Sequence, residues 1–334
     1  MCGESEPRGW QGRSLMLSRT VGTLRVSLLE QCQLRCDYCR PGAVRPFTPN
    51  ASRLTVDEYS RLARAFSGLG VRTVRFTGGE PLLHPEVERI VRAFHDALPQ
   101  AALAVTTNGL HLLAKLDAMV DAGLTGATVH LDSLQPERAR ALMGETDVQV
   151  ALEAVSRAHS RLPVVKVNCV VQRGRNEDEL WDFLEHFSRL GVEVRFIELM
   201  NTGSAVLSTR KAFVSGADII ARIAERGPVS SLTRRNAADP AALFRTHTGI
   251  TFGVIASDTA PFCDACDRLR LSPDGRLRGC LYEAGGVDLR GPLRDGASDD
   301  VLAALVRATH AAKTSHHPSR ALPGHAFSMS EVGG

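Results

Sequence analysis

The chain has 334 residues, 43% hydrophobic and 23% charged, enough for one large domain with an annex and ordinary for a globular protein. Its formal net charge of +3 argues against general nucleic-acid binding, so any anion must be met by locally placed Arg and Lys. No apolar run approaches the roughly 20 residues of a membrane helix and the polar N-terminus lacks the apolar core of a signal peptide, so a cytoplasmic protein with no membrane or nucleic-acid partner is expected.

Residues 1–23 read as an N-terminal extension. From there, short β-branched runs alternate with amphipathic stretches. The pattern predicts strands at 24–28, 73–77, 103–107, 127–131, 164–171 and 192–199, and helices at 56–69, 86–98, 112–122, 150–161 and 177–190. Such alternation implies βαβ units and a parallel sheet, and right-handed crossovers roll it into a barrel. The expected fold class is α/β: a partial (β/α)6 TIM-type barrel over 24–203, with a C-terminal annex over 204–334 packed across its mouth. A Rossmann sheet competes, but no Gly-x-Gly-x-x-Gly follows the first strand.

Unusual residues follow the strands. A cysteine run follows the first, Gly78-Gly79-Glu80-Pro81 the second, Asn108-Gly109 the third and Asp132-Ser133 the fourth. In a parallel barrel the C-terminal strand ends form the site, so this chemistry converges on one mouth.

Six of the eight cysteines fall in two groups, with Cys2 and Cys169 left over; Cys169 reads as a small core residue. Cys32-x3-Cys36-x2-Cys39 offers three thiolates within eight residues. Three ligands leave one iron of a four-iron cluster open for a reacting molecule, whereas structural zinc wants a fourth protein ligand. Cys263-x2-Cys266-x13-Cys280 also offers three, and here zinc completed by Asp264, Asp267 or a distant His remains an alternative. Beside it, Arg268-Leu269-Arg270-Leu271 has the alternation of a strand that points both guanidinia to one face, where they could hold an anionic, planar substrate.

The three-cysteine spacing, Tyr38 before the third cysteine and the Gly78-Gly79-Glu80-Pro81 turn resemble radical S-adenosylmethionine (SAM) enzymes. Together with Phe76-Thr77, Thr106-Thr107-Asn108-Gly109, Leu131-Asp132-Ser133-Leu134, Lys166 through Val171, Arg195-Phe196-Ile197-Glu198, the second cysteine group and the terminal Gly333-Gly334, the chain resembles the GTP 3',8-cyclase family of molybdenum cofactor biosynthesis. That resemblance implies two [4Fe-4S] clusters, bound by Cys32, Cys36 and Cys39 and by Cys263, Cys266 and Cys280. It implies SAM contacts from Tyr38, Gly79, Met200 and the position of His130, and GTP contacts from Arg25, Arg75, Thr106, Lys166, Arg268 and Arg270, with the last two closest to the chemistry. The implied reaction takes hydrogen from the ribose C3' of GTP and joins that carbon to guanine C8. The resemblance also implies an external electron donor, a homodimer, a tail that reaches the active site, and a downstream cyclic pyranopterin monophosphate synthase.

Several positions depart from the family pattern: Leu29-Glu30-Gln31-Cys32-Gln33, Arg40, Thr73 where Lys is common, His130 where Ser is usual, Met143-Gly144-Glu145 and Asp267. They keep open a paralogue acting on another nucleotide or purine metabolite. Cysteine spacing alone also permits a nonenzymatic zinc or iron–sulfur protein.

Overall fold

The computed structural model describes residues 21–39, 48–200, 211–234, 236–283, 285–313 and 329. Six βα-type strands come first: β1 (Thr23–Ser27), β2 (Thr73–Thr77), β3 (Ala102–Thr107), β4 (Gly126–His130), β5 (Val164–Val171) and β6 (Glu193–Glu198). Between them lie α1 (Val56–Phe66), α2 (Val87–Ala97), α3 (Leu112–Asp121), α4 (Pro136–Met143), α5 (Val148–His159) and α6 (Leu180–Ser188). The annex adds α7 (Gly216–Ala224), β7 (Val229–Leu232), β8 (Ala242–Thr246), β9 (Thr251–Ile255), β10 (Arg268–Leu271), β11 (Arg276–Arg278), β12 (Val287–Asp288), α8 (Arg290–Arg294) and α9 (Asp299–Ala311).

All the strands form one sheet in the order β12-β11-β10-β1-β2-β3-β4-β5-β6-β9-β8-β7. The run from β10 to β9 is parallel throughout. The outer strands are antiparallel. The barrel is thus partial and not closed. The annex, expected to pack across the mouth, brings Cys263, Cys266 and Cys280 to the cavity. Its strands extend the sheet at both edges, β10 beside β1 and β9 beside β6.

Strand alternation decides which residues face the site. In β1, β2 and β10 the outward residues Leu24, Val26, Val74, Phe76, Leu269 and Leu271 are at most 1% exposed and pack in the core under the helices. Phe76 meets Phe94 of α2 edge-on, with centroids 5.5 Å apart. Truncating Phe76 to Ala would cost about 3–5 kcal/mol through transfer and cavity terms. The alternate residues Thr23, Arg25, Thr73, Arg75, Arg268 and Arg270 line the inner cavity.

Local signals explain the element ends. A capping box between Thr55 and Glu58 starts α1. The helix stops at Phe66, short of the expected 69, and Gly68 and Gly70 then take φ of +76° and +78°, which favours glycine. Asp147 accepts from the Gln149 and Val150 N–H groups, so α5 begins at Val148, earlier than its apolar periodicity suggests. Sequence patterning passed over α4, a short helix opened by Pro136.

Candidate active site

One cavity of about 530 Å³ is lined by all six grouped cysteines. Tyr38, Gly79, His130 and Met200 line it as well, and so do Arg25, Arg75, Thr106, Lys166, Arg268 and Arg270. These cluster, SAM and GTP positions, all expected from the sequence, therefore face one space. Gly333 and Gly334, like Cys2 and Arg40, lie outside the described residues, but Met329 of the same tail lines the cavity.

The first cysteine group sits on the loop after β1, against the glycine turn after β2. The Gly79 N–H donates to the Leu29 carbonyl at 2.7 Å and the Glu80 N–H to the Gln31 carbonyl at 2.8 Å. A Cβ on Gly79 would stand 2.2 Å from the Gln31 oxygen and 2.5 Å from the Glu30 oxygen, so glycine lets this backbone approach the cysteine loop. Glu80 is fully buried and accepts from the Asn108 and Leu82 N–H groups and the Thr107 hydroxyl. Burial, only partly offset by those donors, pushes its carboxyl up to about 7. Asn108 in turn reaches the Cys32 sulfur at 3.8 Å and accepts from Gln33, one of the departing residues.

Deeper in this wall the Tyr38 hydroxyl donates to Asp132 Oδ2 at 2.7 Å and lies 2.5 Å from His130 Nε2. His130 Nε2 is 3.1 Å from the same carboxylate oxygen, and Asp132 Oδ1 accepts the Val170 N–H. Burial lowers the proton affinity of His130, but Asp132 outweighs it and the net shift is upward. Burial, then Asp132 and the neighbouring cysteines, hold the Cys36 thiol well above its ordinary value. A thiolate in that position needs a metal's positive charge beside it, so these residues fit a cluster.

The second group surrounds β10 and β11. Cys263 opens a short 3-10 turn, Cys266 precedes β10 and Cys280 follows β11. Lys313, just beyond α9, donates to Cys266 Sγ at 3.2 Å and to the Arg268 carbonyl at 2.6 Å. Burial alone would raise the Cys266 thiol; Lys313 and the neighbouring Arg268 bring it below its ordinary value. Among the described residues no three His, Cys, Asp or Glu side chains gather as a single-ion site. A four-iron cluster spreads its thiolates over different irons, and three cysteines per group match that donor set.

Arginine crowds one wall. Arg25 stands in register with Arg270 on one side and Arg75 on the other. Burial lowers all three, Arg75 and Arg270 to about 10; Arg270 and Arg75 add to the effect on Arg25, Arg195 and Arg268 to that on Arg75, and Arg268 to that on Arg270. Arg75 donates to the Thr106 and Thr128 hydroxyls at 3.2 and 2.9 Å. Arg268 lies over the Phe262 ring, 4.6 Å from its centroid. On the opposite wall burial and Arg195 pull Lys166 down to about 8. Arg195 and Asp239 also line the cavity and were not picked out as site residues from sequence. Alternation in β6, which turns Arg195 and Ile197 inward, was the usable signal for Arg195; Asp239 lies in a turn and carried none.

A parallel, partial barrel with three cysteines at the end of its first strand defines a radical SAM enzyme. Residues 26–187 match the radical SAM superfamily and residues 192–319 match Molybdenum Cofactor Synthesis C. The fold resembles Streptococcus suis SuiB bound to S-adenosylmethionine, with a TM-score of 0.59 at 13% identity, covering 79% of this chain and 61% of that one. Superfamily membership implies a [4Fe-4S] cluster and SAM.

The relatives are narrower. "GTP 3',8-cyclase 1" of Mycobacterium tuberculosis is 39% identical over 296 residues, covering 86% of this chain and 82% of that protein. The GTP 3',8-cyclase of Aquifex aeolicus is 38% identical over 276 residues, covering 82% and 86%. That of Moorella thermoacetica is 34% identical over 318 residues, covering 95% and 98%. The chain belongs to the GTP 3',8-cyclase family of molybdenum cofactor biosynthesis.

Proposed function

We propose that the chain converts GTP to (8S)-3',8-cyclo-7,8-dihydroguanosine 5'-triphosphate. The observation that carries this reading is the single cavity that both cysteine groups and the inward cations share. A triphosphate brings roughly four negative charges, and charge-assisted hydrogen bonds from Arg and Lys are its natural partners.

Cys32, Cys36 and Cys39 would hold the cluster whose open iron takes SAM. When bound and reduced, it supplies the electron that cleaves SAM and starts radical chemistry on the ribose. Tyr38, Gly79, His130 and Met200 would contact SAM, with Asp132 fixing the Tyr38 hydroxyl and the His130 ring. We assign a second [4Fe-4S] cluster to Cys263, Cys266 and Cys280, facing the guanine. Arg25, Arg268 and Arg270 would orient the nucleotide between the two, and Arg75, Thr106 and Lys166 would hold its phosphates. The protein's contribution is position: reacting carbons held in contact gain what free solutes lose to orientation, and the cofactors carry the bond chemistry.

An external donor would supply the electrons, and the cyclised product would pass to cyclic pyranopterin monophosphate synthase. We take the chain to act as a homodimer in the cytoplasm, a compartment that keeps thiols reduced; among the described residues no helix is long and apolar enough to cross a membrane.

Anaerobic incubation of reconstituted protein with GTP, SAM and dithionite, read by mass spectrometry, tests the reading. The expected products are 5'-deoxyadenosine and the cyclised nucleotide in step. Deoxyadenosine without any change in GTP would overturn it.

A further inference from the structure

The floor of the cavity carries a carboxylate among cations. Arg195 Nη1 and Nη2 donate to Asp239 Oδ1 and Oδ2, both at 3.1 Å. The Arg195 Nε donates to Glu193 at 2.7 Å, and Lys166 Nζ lies 3.8 Å from the same Glu193 oxygen. Asp239 Oδ1 also accepts the Ala241 N–H at 3.2 Å, which fixes the side chain in the turn before β8. Arg75, Lys166 and Arg268 feel this carboxylate as well. Asp239 is therefore the shared counter-charge of cations drawn from β2, β5, β6 and β10.

A guanidinium fork binds a carboxylate or a phosphate with the same two parallel hydrogen bonds. The Asp239 side chain is 20% exposed and that of Arg195 only 8%, and both line the cavity. An anion entering from the cavity meets Asp239 at the fork it would use itself. A phosphate that settles near Lys166 and Arg75 must tolerate the carboxylate or displace it from Arg195.

We propose that Asp239 is a built-in competitor for the substrate's phosphates, a specificity-determining residue that leaves weakly charged anions unable to claim Arg195 and reserves the floor of the site for a polyphosphate chain. The inference rests on the reading that a nucleotide triphosphate enters here. Its chemistry concerns the anion alone.

Titration calorimetry on the reconstituted full chain separates the two. The probes are inorganic tripolyphosphate, GTP and guanosine, against wild type and Asp239→Asn, which keeps an oxygen for Arg195 and loses the charge. Removing one negative charge beside a bound anion should tighten tripolyphosphate and GTP by about tenfold or more, with guanosine unchanged and the gain shrinking in high salt. Should Asp239→Asn fail to fold by circular dichroism, Asp239→Ser replaces it. Unchanged or weaker tripolyphosphate binding in a folded variant overturns the proposal and leaves Asp239 as a structural partner of Arg195. Tighter tripolyphosphate binding with no GTP binding in either protein upholds the proposal and sinks the GTP reading instead.

Discussion

The two walls of the cavity handle positive charge in opposite ways. Across β10, β1 and β2, arginine faces arginine, with Arg25 in register between Arg270 and Arg75. Across β5, β6 and the 236–241 turn, cations face carboxylates: Arg195 is held by Asp239 and Glu193, and Lys166 lies near Glu193. The first arrangement gathers positive charge that an anionic ligand would offset; in the second, Asp239 and Glu193 already hold the cations, and an entering phosphate must compete with them. Real proteins depart from local consistency at functional sites, and by that measure the arginine wall is built for the ligand.

Breaking the arginine wall should give the largest functional effect. Arg25→Met is expected to lower kcat/KM for GTP by roughly 100-fold, the loss of a charge-assisted phosphate or base contact. Removing a charge from that crowd should leave the melting temperature unchanged or higher. A stability loss as large as the activity loss would mean that Arg25 serves the fold.

The same change on the opposite wall should reverse the pattern. Arg195→Met strands two carboxylates, one of them in a bidentate pair, and breaking such a buried pair costs about 3 kcal/mol. Urea unfolding should show that loss directly. An Arg195→Met protein as stable as wild type would erase the distinction between the walls.

A smaller effect concerns pH. Lys166 is depressed to about 8, below its ordinary 10.5, first by burial and then by Arg195. The unfolded chain therefore binds the extra proton between pH 8 and about 10.5, and stability rises with pH across that window. Thermal melts of the ligand-free protein should show this rise, and Lys166→Met should flatten it. GTP affinity should fall over the same range as the ammonium is lost; a flat profile for both quantities would remove Lys166 from the phosphate site.

The smallest expected effect tests the second cysteine group. Lys313→Met removes the donor to Cys266 while sparing both cysteine sets. Iron content is expected to stay near eight per chain, as for two four-iron clusters, with the cluster spectrum perturbed and turnover reduced severalfold. Four irons per chain in wild type would refute the second cluster.

Much of this was legible in sequence for a physical reason. β2 and β5 were read at their observed ends because β-branched runs are bounded there by glycine and polar turns. The Arg268-Leu269-Arg270-Leu271 alternation foretold one inward and one outward face, which the cavity and the burial of Leu269 and Leu271 bear out. The annex was less legible. Its strands join the sheet edges through pairings distant in sequence, such as Arg25 with Arg270, and no local pattern encodes those. Asp239 was invisible because its meaning comes from cations on four other strands. Gly79 lines the cavity as expected of a residue beside the cosubstrate, and its lack of a side chain also lets the turn pack against the Glu30 and Gln31 carbonyls of the cysteine loop.

The central claim is that a nucleotide lies between the two cysteine groups with its ribose open to radical chemistry. GTP carrying deuterium at C3' tests this most directly, in a single anaerobic turnover followed by mass spectrometry of the nucleoside product. The account predicts one deuterium in 5'-deoxyadenosine for each cyclised nucleotide formed. Unlabelled 5'-deoxyadenosine, with the deuterium retained in GTP, would contradict it.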